Sequence, residues 1–131
     1  MIFEPAPWAL ARKLQAIAQT GLTYAVNESP REAVEREALE ESGFDIKAVK
    51  LACVCDRAKH PHEPAFPFHV YKMFFLCDIV GGGAKAGSET LAAGFYPPDA
   101  LPPLSVSRVL PEQIERLFAH CKNPLLPTEF D

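Results

Sequence analysis

Most of the features that classify a chain at a glance are missing from these 131 residues. The four cysteines, Cys53, Cys55, Cys77 and Cys121, contain no CxxC pair and no recognisable zinc-ligand spacing. Cys53, Cys55 and Cys77 lie in apolar runs, where a thiol acts as a small hydrophobe, so reduced core residues of a cytoplasmic protein are expected rather than disulfides. No apolar run approaches the roughly 20 residues of a membrane-spanning helix; the longest lies around residues 73–80. No leader peptide is visible, because Arg12 and Lys13 fall inside the first helical pattern with no clean apolar region after them. There is no internal repeat. Positive charge is in deficit: 13 Lys and Arg stand against 17 Asp and Glu, for a net charge of -4. Such a chain has no general attraction for nucleic-acid phosphates, so neither nucleic acid nor membrane is an expected partner. What remains, 48% hydrophobic and 23% charged, suits one globular domain able to bury roughly two-thirds of its unfolded surface.

The acidic residues that are present are unevenly placed. Glu28, Glu32, Glu35, Glu37, Glu40 and Glu41 put six of the 17 into 14 positions. Either this is a solvated helix face or it holds a cation. The local signals predict a helix from Pro30 to Ser42: Ser29 fits the N-cap, Pro30 the first helical position, and Glu32 completes a capping box. Gly43 ends it. Glu37, Glu40 and Glu41 then stand at i, i+3 and i+4, with Cβ atoms about 5–6 Å apart on one face. Like charges so placed repel, and a divalent cation among them reverses the sign, because hard cations prefer carboxylate oxygens. Arg36 can pair with Glu40 one turn later, and Glu28 adds a carboxylate at the positive end of the helix.

Elsewhere, Leu10, Leu14 and Ile17 recur at helical spacing from Trp8, and Gly21 is a plausible stop. Residues 44–57 and 68–80 read as strands, joined by a proline-rich loop over 58–67 and ended by Gly81, Gly82 and Gly83. Residues 94–96 could add a short strand. A last helix starts near Pro111, with Ile114, Leu117, Phe118 and Cys121 on one face; Pro124 stops it and an irregular tail follows. The order predicts an α/β or α+β domain, with a helical N-terminal segment over 1–26 and the main domain over 27–131.

From Glu28 the sequence runs through seven residues to REALEESGF, residues 36–44. This resembles the Nudix box, G-x5-E-x7-R-E-U-x-E-E-x-G-U with U apolar, and every specified position from Glu28 onward is filled. WALARKLQAIAQTGLTY (8–24), DRAKHPHEP, FHVYKMFFLC and NPLLPTEFD are similar to the branch that acts on X-linked nucleoside diphosphates such as ADP-ribose or CDP-choline. The resemblance implies an α/β/α sandwich with a mixed sheet, here preceded by an N-terminal helix. It implies hydrolysis of a pyrophosphate bond in a small nucleotide, with Mg²⁺, or Mn²⁺, held by Glu37, Glu40 and Glu41 and supported by Glu28. Glu40, Glu41 and Arg36 would carry the catalysis, Arg36 by orienting a glutamate; Glu89 stands where the family often keeps a further glutamate as base or ligand. Arg57, His69 and Lys72 are the candidate substrate contacts, an ordinary strand pair being the alternative for the last two.

Two departures stand out. Leu22 occupies the position of the box's opening glycine, and the 22–27 connector is too short for the strands that precede the box in the family. The chain reads as a member lacking a segment between about Tyr24 and Asn27. Strand 68–80 is then expected to present an unpaired edge, which invites a strand-paired or swapped homodimer. A scaffold that binds metal, nucleotide or a protein partner without turnover is the alternative to an active hydrolase. His60 and His62 are expected as surface loop residues.

Overall fold

The computed structural model describes residues 2–3, 13–18, 28–65, 70–84, 94–104 and 108–131. Its frame is a five-stranded mixed sheet in the order β1-β2-β4-β3-β5, formed by β1 (Ile2–Phe3), β2 (Lys13–Ala18), β3 (Phe44–Asp56), β4 (Tyr71–Gly82) and β5 (Glu129–Phe130). All neighbours are antiparallel except β3 and β5. Two helices, α1 (Pro30–Ser42) and α2 (Pro111–Lys122), cover the two faces.

The period-2 alternation of β4 divides the core. Phe75 and Cys77 face α1, where they pack with Val34, Ala38, Ile46 and Ala48. Phe74 and Leu76 face α2, packing with Ala52, Cys53, Cys55, Ile114, Leu117 and Phe118. Register breaks lie between Asp45 and Ile46, Ala48 and Lys50, and Leu51 and Cys53. The residues they leave without a partner are Val80, Val49 and Ala52. Val49 and Val80 are exposed while Ala52 is buried. The first extra residue belongs to β4 and the other two to β3.

Several expectations are corrected. Residues 13–18 form strand β2, not the middle of an N-terminal helix, because β4 offers them a full antiparallel partner from Met73 to Asp78. β4 consequently lies between β2 and β3, and the exposed edge that suggested a strand-paired dimer is absent. The tail is not wholly irregular, since β5 docks parallel to β3. Strand β4 also continues through Gly82 rather than stopping at the glycines. In 94–96, only Phe95 takes a bridge position.

Candidate active site on the glutamate helix

Helix α1 is set by its ends. Ser29 caps it, accepting from the Glu32 amide, while the Glu32 carboxylate accepts from the Ser29 amide at 2.7 Å. At the far end Gly43 turns left-handed, φ 81°, and its amide donates to the Leu39 carbonyl. The Ser42 hydroxyl donates to the Ala38 carbonyl and accepts from the Phe44 amide, so helix passes into strand without a loop. Glu35 bolts the helix to the sheet: it accepts from the Ala48 amide at 3.0 Å and from Lys47 Nζ at 3.1 Å.

With Ala38 and Val34 facing the core, the acidic residues face outward. Arg36 grips two of them. Its Nε and Nη2 donate to the two oxygens of Glu28 at 2.8 and 3.1 Å, and its Nη1 donates to Glu40 at 2.9 Å. Glu37 lies 3.9 Å from the same guanidinium. The Arg36 hydrogen bond holds the Glu28 carboxyl below the usual carboxylate range, and Glu28 in turn raises the Arg36 pKa. Burial pushes the Glu37 carboxyl up; Arg36 opposes this, while Glu41, Glu28 and Glu40 add to it. Three carboxylates therefore share one guanidinium, with Glu41 beside them.

This arrangement places Glu28, Arg36, Glu37, Glu40 and Glu41 together, the first four in direct contact through Arg36. The oxygens of Glu37, Glu40 and Glu41 are not drawn to a common point: among the described residues the one set of three ligand-type side chains with donor atoms within 4.8 Å is Cys55, His60 and Asp131. The glutamate set nevertheless fits a hard divalent cation. Its donors are all carboxylates, Glu40 and Glu41 are exposed and able to turn, and its negative charge exceeds what Arg36 offsets.

Lys72 and Arg57 lie elsewhere. Lys72 is fully buried, opposite Cys55 and in phase with Phe74 and Leu76 on the α2 face, and its ammonium donates to the Arg108 carbonyl. Burial, with Arg57 adding to it, pushes the lysine down to about 8. Arg57 is also buried and donates to the Pro64 carbonyl at 2.7 Å. His69 and Glu89 lie outside the described residues. His62 is buried against Gln113 rather than on the surface.

Two contributors escaped the sequence reading. Glu35 looked like one more acid of the run, and nothing local signals its reach to β3. Gly82 looked like a strand stop. It has φ +75° and sits against the helix exit, where an added Cβ would come within 2.2 Å of the Gly43 carbonyl oxygen.

Comparison with known proteins adds ancestry to this geometry. A sequence model described as the NUDIX domain matches residues 21–117. Over 103 residues, 79% of the chain, the sequence is 44% identical to YjhB of Bacillus subtilis, whose name carries a provisional assignment as an ADP-ribose pyrophosphatase. Over 96 residues, 73% of the chain, it is 32% identical to the ADP-ribose pyrophosphatase of Methanocaldococcus jannaschii. The chain spans about half the length of these curated relatives, 49% and 53%. A crystal structure of an ADP-ribose pyrophosphatase from Streptococcus suis 89-1591 superposes with a TM-score of 0.71 at 33% identity, over 81% of this chain and 75% of that one. A UDP-X diphosphatase superposes with a TM-score of 0.68 at 27% identity, over 92% and 61%.

Proposed function

The chain belongs to the Nudix family, and from that premise we propose that it is a divalent-metal-dependent hydrolase. Its substrate is a nucleoside diphosphate linked to a second group, with ADP-ribose the first candidate and CDP-choline the next. The observation that carries the reading is the fork of Arg36 between Glu28 and Glu40, on the helix that also presents Glu37 and Glu41. The two curated relatives are both named for ADP-ribose, which supports that choice of substrate.

In this reading Glu37, Glu40 and Glu41 hold the cation, Mg²⁺ or Mn²⁺, with Glu28 beside them. When bound, the cation supplies charge neutralisation at the phosphoryl oxygens and a more acidic water. Arg36 keeps Glu28 and Glu40 near the site, and Glu40 and Glu41 turn toward the cation when it binds. Glu41, which has no ion pair among the described residues, is the candidate to accept the proton of the attacking water, with Glu89 the second candidate. Arg57 and Lys72 are buried and committed to backbone carbonyls away from the glutamate helix, so no role at the metal centre is assigned to them. The products are a nucleoside monophosphate and the phosphorylated second group.

The test is a substrate panel of ADP-ribose, CDP-choline and a UDP-sugar, with products resolved by chromatography in Mg²⁺ and in EDTA. AMP and ribose 5-phosphate appearing from ADP-ribose in Mg²⁺ alone would support the reading. Leu22 at the box's opening position favours the second reading, a scaffold that binds without turnover. A folded protein that binds nucleotide in Mg²⁺ and yields no product from any substrate would select it.

A further inference from the structure

On the face of the sheet away from the glutamate helix, the docking of β5 assembles a second group of ligand-type side chains. Cys53 stands opposite Glu129 and Val54 opposite Phe130 across the parallel pair. Partners in register share a face, so Cys53 and Cys55 look to the same side as Glu129 and Asp131. The turn that follows Arg57–Lys59 brings His60 to the same spot. These residues line a cavity of about 760 Å³ between β3, β5 and the start of α2.

Three of the donors converge as an ion requires, with Cys53 beside them. Cys55 Sγ, a ring nitrogen of His60 and a carboxylate oxygen of Asp131 all lie within 4.8 Å of one another. Cys53 Sγ is 2.8 Å from Cys55 Sγ. Two sulfurs that close are crowded, whereas the thiolates of a tetrahedral zinc, with bonds of about 2.3 Å, sit roughly 3.8 Å apart. His60 Nε2 meets Asp131 Oδ2 at 2.9 Å, a contact that an ion between them replaces. The Asp56 amide donates to the same Oδ2 at 2.7 Å and helps hold the carboxylate in place. Both cysteines are free and buried, while His60 and Asp131 reach solvent and leave a path of entry.

We propose that Cys53, Cys55, His60 and Asp131 form a second cation site, for a thiophilic divalent ion of the zinc type. Two thiolates, an imidazole and a carboxylate select such an ion over Mg²⁺, which the glutamate helix prefers. The site fastens the β5 segment to β3, and it stands whether or not the glutamate helix catalyses anything.

Cobalt(II) is the probe, titrated into the reduced protein. One equivalent should produce a thiolate-to-cobalt charge-transfer band, unchanged in Glu40→Gln. The affinity should fall at least about tenfold in Cys55→Ser, His60→Ala and Asp131→Asn. Zinc should raise the melting temperature of the wild type and not of His60→Ala. No band in the wild type, an affinity undiminished in the variants, or loss of the band in Glu40→Gln would each overturn the proposal. Should Cys55→Ser fail to fold, the two surface variants decide, because neither His60 nor Asp131 lies in the core.

Discussion

Glu37→Gln should make the metal-free protein more stable while removing its response to Mg²⁺. Glu37 has Glu40 and Glu41 as neighbours at i+3 and i+4, and each such like-charge pair costs about 0.2–0.5 kcal/mol. Burial adds to the cost of ionising it. Against this stands the 3.9 Å contact to Arg36, an exposed pair worth a few tenths of a kcal/mol. The net gain is about 0.5–1 kcal/mol at pH 7, or roughly 2–4 °C in melting temperature for a chain of this size. The pH dependence has a definite sign. The folded carboxyl titrates above its ordinary 4.5, so the stability it contributes is fully present below that pH and is lost as pH rises through the folded value. The variant's advantage should therefore be present at pH 7 in EDTA and gone at pH 4. Millimolar Mg²⁺ should raise the melting temperature of the wild type and leave the variant's unchanged. Thermal melts at both pH values, with EDTA or Mg²⁺, measure all of this. A variant less stable than wild type in EDTA at pH 7, or an equal advantage at pH 4, would refute the electrostatic reading of the helix.

Gly82→Ala should destabilise the fold by more than about 3 kcal/mol in urea titrations, since it combines a left-handed residue with a Cβ 2.2 Å from the Gly43 carbonyl oxygen. Glu35→Ala should cost about 1–2 kcal/mol in the same assay, because it strips the acceptor from the Ala48 amide. The depressed Lys72 contributes stability that is present above its ordinary 10.5 and is lost as pH falls to about 8. Lys72→Met should remove up to about 3 kcal/mol of that rise, read from urea midpoints at pH 7.5 and 10; parallel pH curves for the two proteins would contradict the buried-ammonium account.

Helix α1 was legible because everything that makes it is local: Ser29, Pro30, Glu32 and Gly43 act within one turn of its ends. The box residues were legible for the same reason, as their spacing is that of one helix face. Strand β2 was not. Lys13–Ala18 is built from good helix formers with Leu14 and Ile17 three apart, and only the long-range pairing with β4 overrides that preference. The bulges of β3 were hidden because they answer to the pleat of a neighbour. In the sequence Cys53 and Cys55 read as core thiols and His60 as a surface loop residue, and nothing there joins them to Asp131. These residues are joined by a parallel pairing between residues 53 and 129, and no sequence spacing announces that contact.

Whether the glutamate helix is the metal-dependent centre of a pyrophosphate hydrolase is decided by following AMP formation from ADP-ribose while Mg²⁺ is titrated into the wild type and Glu40→Gln. Turnover should need Mg²⁺, stop with EDTA and fall at least about 100-fold in the variant. Turnover that survives EDTA, or that Glu40→Gln leaves intact, would contradict that role for the helix.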